Sequence, residues 1–177
     1  MQPQIFFVPK EHTLEAILQF RKELATYPSE APEYIFDFQS GSGYATPFGM
    51  LAIGFAIRQF VATRPGSKVK AKNIDKSNYA AHMGYYQCCG FEVGNPPGKA
   101  KGSNTYLPVT ILKVEELREQ ARKAGSEVGD VIEERSQQLA RILTQEELGT
   151  TNDVIAYSLR EMIRNVAEHS QSQEVAY

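Results

Sequence analysis

Cysteine is scarce in this chain: two residues among 177, Cys88 and Cys89, side by side. A disulfide framework needs separated cysteines that can meet in pairs, so that class of small stapled fold is excluded. A zinc site is not the expected reading either, because the three isolated histidines (His12, His82, His169) do not supply the remaining ligands. The ordinary reading of the adjacent pair is buried, reduced thiols. Tryptophan is absent. No apolar run approaches the roughly 18 residues that would span a bilayer, so no membrane partner is expected. Residues 1–10 lack the charged start, apolar segment and small-residue cleavage site of a secretory leader. The expected compartment is therefore cytoplasmic. A Gly-x-x-x-x-Gly-Lys phosphate loop is missing too, and no Ser-His-Asp or Cys-His set stands in a recognisable context.

What is present is an ordinary globular balance, 42% hydrophobic and 23% charged, which rules out global disorder. The net charge of −2 hides an uneven spread. Residues 64–101 carry seven basic groups against two acidic, whereas residues 114–177 carry seven basic against thirteen acidic. The central lysines alternate with small apolar residues in Lys68-Val69-Lys70-Ala71-Lys72, the pattern of a half-exposed strand. A nucleic-acid surface would show a denser basic stripe interleaved with aromatics, so nucleic acid is not the expected partner.

Along the chain, residues 4–9 read as a first strand, and Thr13 can cap a helix with an apolar stripe of Leu14, Ile17, Leu18 and Leu24. Residues 34–38 form a second strand, followed by turn-rich residues 39–43. Thr46-Pro47 then opens a helix to about residue 63, apolar nearly all round and so expected to be well buried. A strand at 69–74 and a short helix at 79–89, ended by Gly90, come next. In that helix His82 reads as a packed core histidine, and Tyr79, Tyr85, Tyr86 and Phe91 read as a core aromatic cluster. Residues 95–102 make a loop, and residues 105–112 a last strand interrupted by Pro108. Alternating strands and helices imply an α/β fold class. From residue 114 the character changes to charged helices at 114–123, 129–144 and 153–170. The expected organisation is an α/β domain over 1–113, a linker helix over 114–128 and a second domain starting at 129.

The sharpest pattern lies in the last helix, Glu161-Met162-Ile163-Arg164-Asn165-Val166-Ala167-Glu168-His169-Ser170. At ~100° per residue, Glu161, Asn165 and His169 share one strip, with Ile155, Leu159, Met162 and Val166 on the neighbouring, core-facing one. A carboxylate and a carboxamide four residues apart suit a magnesium–nucleotide site, where a hard cation takes oxygen ligands and a water needs a base. Glu-x-x-x-Asn followed by x-x-x-His-Ser resembles the N-terminal box of the histidine-kinase-like (GHKL) ATPases, the superfamily of gyrase, histidine kinases, the heat-shock chaperone and the mismatch-repair protein. The resemblance implies ATP and Mg²⁺ as cofactors, Asn165 as metal and nucleotide ligand, His169 as a further nucleotide-binding position and Glu161 as candidate base. It also implies an Asp-x-Gly-x-Gly box and a glycine-rich lid, and neither is in these 177 residues. The expectation is that residues 129–177 hold only the beginning of such an α/β sandwich, with little activity by themselves and an apolar helix face open to dimerisation.

Upstream, the strand ending in Asp37-Phe38, the loop, and Thr46-Pro47-Phe48-Gly49-Met50-Leu51 opening an apolar helix resemble the STAS domain of sulfate transporters and anti-sigma-factor antagonists, over residues 34–112. In the antagonists a phosphorylatable serine starts that helix, which makes Thr46 the corresponding candidate phosphosite, in competition with its role as a helix cap. Taken together, the resemblances imply a bacterial regulatory ATP-binding protein with a regulatory protein partner. Two alternatives stand beside it. One is a non-catalytic, STAS-type interaction module working through the acidic helices, and the other a small-molecule sensor using residues 79–104.

Overall fold

The computed structural model describes residues 2–27, 31–39, 46–74, 79–169 and 174–176. The expected turn at Ser40 to Gly43, and Ser170, lie outside the described residues. The chain is mixed α/β and forms two compact units, Met1–Ala100 and Lys101–Tyr177. Residues 101–113 thus belong with the second unit, ahead of the compositional break. Among the described residues no helix is long and apolar enough to cross a membrane.

In the first unit β1 (Gln4–Phe7), α1 (Leu14–Thr26), β2 (Glu33–Asp37), α2 (Pro47–Ala62) and β3 (Lys68–Lys72) follow one another. The three strands are parallel, in the order β1-β2-β3, with Phe6 beside Phe36 and Phe36 beside Ala71. Each strand connects to its neighbour through a helix, and two right-handed crossovers in the same direction put both helices on one face. The rings confirm it. Phe60 of α2 meets Phe6, Tyr34 and Phe36 edge-on at 5.1, 5.0 and 5.9 Å, and Tyr27, at the C-cap of α1, meets Phe6 at 5.3 Å. Edge-to-face ring pairs contribute roughly 0.5–1.5 kcal/mol each beyond their burial.

Thr13 and Thr46 cap the two helices as the sequence predicts, accepting from the amides of Ala16 and Gly49. The buried row of α1 is Ile17, Phe20 and Leu24, while Leu14 and Leu18 are exposed. Phe20 completes the i, i+3, i+7 row that meets the rest of the unit, and the two leucines fall beside it. On α2 the buried residues include Met50, Ile53, Ile57 and Phe60, but Phe48 and Phe55 stay exposed, so burial is not all round.

The short helix expected at 79–89 is two turns, α3 (Tyr79–His82) and α4 (Tyr85–Cys88), broken at Gly84 with φ +83°. His82 is exposed rather than packed in the core, because Ala80, Ala81 and Met83 take the inward positions of that short turn. Tyr85 and Tyr86 are buried against Phe38, whereas Tyr79 is half exposed. Cys88 and Cys89 are free and buried, with both sulfur atoms beside Gly54 of α2. Apolar burial raises the Cys89 thiol well above its usual range and makes it a poor nucleophile.

The second unit holds β4 (Ile111–Lys113), α5 (Val114–Ala124), α6 (Val128–Thr144), α7 (Thr150–Arg164), a π-helical turn over Asn165–His169, and β5 (Glu174–Ala176). The strand expected at 105–112 shrinks to β4, which pairs antiparallel with β5. Pro108 cannot donate to a ladder, and a turn occupies its surroundings, with the Thr110 hydroxyl donating to the Pro108 carbonyl. The residues read as a linker helix contribute Leu117 and Ala121 to a core with Leu112, Val131, Ile132, Ile163 and Val175. Gly125 closes α5 in the left-handed conformation.

One glycine of α2 yields a direct test. A Cβ on Gly49 would overlap the imidazole of His12. Gly49→Ala should lower stability in urea unfolding by about 1–3 kcal/mol of overpacking cost, despite alanine's helix preference of roughly 1 kcal/mol. A stabilised variant would show that the His12 ring moves aside freely.

Candidate functional site

Helix α7 delivers Glu161 and leads directly into Asn165 and His169. Its sequence has no glycine or proline from Thr150 to His169, so nothing stops it early. The rotation of the helix differs from expectation. Asn152, Ala156 and Ile163 are buried, while Ile155, Leu159 and Val166 are half-buried and Met162 is 62% exposed. The physical reason is close packing: α6 buries Ser136 and Ala140 completely, and α7 turns the small Ala156 inward where a larger Ile155 was expected. The helix is turned by most of one ~100° residue step relative to the predicted stripe. Asn152 fills a core place, its amide donating to the Glu147 carbonyl at 3.4 Å and its carbonyl oxygen without a partner among the described residues.

Glu161 and Asn165 still emerge on the outer side. Glu161 is half-buried and its Oε1 accepts from Arg160 Nη2 at 3.1 Å, with Arg164 Nη1 at 3.8 Å. Arg160 also reaches Glu133 of α6 at 3.4 Å and lies over the Tyr157 ring at 4.9 Å. Arg164 donates to both oxygens of Glu168 at 3.1 and 3.2 Å. These pairs hold the two guanidinium groups more firmly protonated, Arg160 first through its hydrogen bond to Glu161 and Arg164 first through Glu168. The same hydrogen bond from Arg164 lowers the Glu168 carboxyl. All are surface pairs, so each adds little to stability. Their effect is to orient side chains.

Asn165 is exposed, and among the described residues nothing engages its carboxamide. It stands where the α-helix gives way to the π-helical turn, a geometry that recurs at functional sites. Wider turns advance each residue by less than an α-helix does, so His169 returns toward the strip of Glu161 and Asn165 instead of drifting past it. His169 is exposed, 4.0 Å from Glu168. Sequence reasoning singles out these three positions and passes over Arg160, Arg164 and Glu168, whose side chains pair with or beside Glu161. The i,i+3 and i,i+4 spacing of Glu161, Arg164 and Glu168 was the signal available.

The donor set suits a particular kind of metal site. Among the described residues no cluster of three or more His, Cys, Asp or Glu side chains is placed to hold an ion. A carboxamide oxygen and a nearby carboxylate are hard donors that fit a Mg²⁺ carried mainly by phosphates and water, not a protein cage.

The other candidate, Thr46, lies in the first unit. Its hydroxyl accepts from the Gly49 amide at 3.1 Å, and its own amide donates to Nδ1 of His12 at 3.2 Å. Pro47 follows at the first helical position. The threonine is exposed, and its hydroxyl oxygen serves as the cap. Across the sheet, Asp37 accepts from Asn73 at 2.7 Å and from the Gln39 amide at 2.8 Å, which lowers its carboxyl. Gln39 and Asn73 both adopt positive φ, at 50° and 56°.

No protein-family model matches the chain, and no curated protein or solved structure does.

His12 generates a pH prediction. Burial lowers its pKa below 6.5, and protonation at Nδ1 would break the bond from Thr46. Below about pH 6.5 the unfolded chain therefore binds more protons than the folded one. This contribution to stability is present above that pH and is lost as the pH falls through and below it. Urea midpoints across about pH 5 to 8 should fall on the acid side, and His12→Gln should flatten that slope. An unchanged slope would place the acid sensitivity elsewhere.

Proposed function

We propose that the chain is part of a regulatory ATP-binding protein of the histidine-kinase-like, anti-sigma type, with a STAS-like first unit and the start of a GHKL-like nucleotide site in the second. The observation that carries the reading is the exposed, unengaged carboxamide of Asn165 one turn beyond Glu161, at the transition from α- to π-helix. In this reading Asn165 would hold Mg²⁺ through its carboxamide oxygen, and the ion would supply the positive charge that lets phosphate oxygens approach Glu161 and Glu168. Glu161 is the base for an attacking water, oriented by Arg160, and His169 lies at the phosphate end. The adenine contacts belong to boxes that these 177 residues do not contain. Thr46 is the corresponding phosphosite of the first unit. A phosphate there would add charge at a helix N-terminus while taking over the cap hydroxyl.

A second reading has its own observation. Val154, Tyr157 and Met162 are exposed around the same polar strip, so the outer face of α7 also suits a protein partner in a non-catalytic interaction module.

Calorimetry with ATP, with and without Mg²⁺, separates the two. The nucleotide reading expects Mg²⁺-dependent binding that Asn165→Ala weakens at least ~10-fold, about 1.4 kcal/mol. Binding unaffected by that substitution would remove Asn165 from the site. Absence of binding by this chain would leave partner recognition as its activity.

A further inference from the structure

A parallel sheet is normally covered on both faces, because its crossover helices are distributed over the two sides. Here the described contacts of α1, α2 and α4 with the sheet all fall on one side. Tyr27 and Phe60 meet Phe6 and Tyr34, and Tyr85 and Tyr86 meet Phe38. Strand alternation places Ile5, Phe7, Ile35 and the three lysines of β3 on the opposite side.

That face has an ordered chemistry. Phe7 is 60% exposed and Ile5 37%, next to a buried Ile35, so an apolar row runs along β1 and β2. Lys68, Lys70 and Lys72 form a basic row along β3, all exposed. Lys70 is paired with Glu33 at 2.6 Å. Asp37 accepts hydrogen bonds from Asn73 and Gln39 and also feels the charges of Lys10 and of Lys72, its cross-strand neighbour. Among the described residues neither Lys68 nor Lys72 has a carboxylate at ion-pair distance. β1 and β3 are separated by two strand spacings, roughly 10 Å, which matches the ~10–12 Å diameter of one helix.

We infer that this sheet face is a docking site for an acidic amphipathic helix of a partner protein, its apolar stripe on the exposed Ile5 and Phe7 of β1 and its carboxylates on Lys68 and Lys72 of β3. The side-by-side apolar and basic rows call for a ligand with the same two stripes, apolar beside acidic. With Lys10 close enough to act on Asp37, four basic groups face the carboxylates of Glu33 and Asp37, a mixed-charge surface rather than the uninterrupted basic cluster that marks an anionic-lipid surface. The inference concerns the first unit and stands apart from the nucleotide reading of α7.

The test uses the full 177-residue chain and two labelled helical peptides, identical in their leucine stripe but flanked by glutamate in one and lysine in the other. Fluorescence anisotropy should show binding of the glutamate peptide, at least ~10-fold tighter than the lysine peptide and weakened by salt. Phe7→Ser should weaken both. The double variant Lys68→Glu, Lys72→Glu should reverse the preference, and circular dichroism should show both variants folded, since all three positions are exposed. Equal binding of the two peptides, no binding, or binding indifferent to these substitutions would overturn the inference. So would self-association of the chain that Phe7→Ser abolishes, which would assign the face to a second copy. Binding of phosphatidylserine vesicles with no binding of the glutamate peptide would assign it to a membrane surface and equally overturn it.

Discussion

Burial of Ile163 among Leu117, Ile132 and Val175 sets the rotation of α7, and the chemistry of that helix follows from it. Once Ile163 and Ala156 face inward, Glu161 and Asn165 have only the outer side available. Arg160 comes to lie between α7 and Glu133 of α6, and Arg164 reaches forward to Glu168. A helix rotated to bury Met162 instead would carry this polar strip to a different bearing. One apolar anchor thus decides which polar groups can act together.

The first unit rests on an analogous anchor. Phe60 touches three sheet rings at once, which locks α2 over β1 and β2 and brings its N-terminus to the carboxyl end of the sheet. There Thr46, His12 and Gly49 are interdependent. The cap hydroxyl satisfies one amide of the helix, the His12 ring satisfies the amide of the threonine, and only glycine leaves room for the ring. A modification of Thr46 would therefore act on a small packed assembly rather than on an isolated hydroxyl. Phosphorylation would have to replace the capping bond as well as add charge.

The charge asymmetry along the chain becomes local chemistry in the folded protein. The central lysines line one face of a three-stranded sheet, where alternation makes them neighbours. The acidic excess of the C-terminal part is spread over α5, α6 and α7, where Glu115, Glu119, Glu161 and Glu168 pair with an arginine or lysine three or four residues away. Those pairs orient side chains on helices that are solvated on their outer sides, and they contribute little to stability. Stability of each unit comes from its own apolar core.

Much of the fold was legible in the sequence because local chemistry specified it. Threonine caps, the Thr46-Pro47 helix start, the Gly90 stop and the period-2 lysine strand are decided within a few residues. The Glu161–Asn165 spacing was legible for the same reason. What local chemistry does not contain is which of two overlapping faces a helix will bury. Leu14 and Leu18 against Phe20 on α1, and Ile155 and Met162 against Ala156 and Ile163 on α7, were settled by the shape of the neighbouring helix. The partner of β4 was likewise decided over a long range, by β5 some sixty residues later. The sequence by itself determined where the capped helices α1 and α2 start and the order of strands and helices in the first unit. Only tertiary packing decided how each helix is turned, because burial rewards the fit between surfaces and a single helix has no surface to fit against.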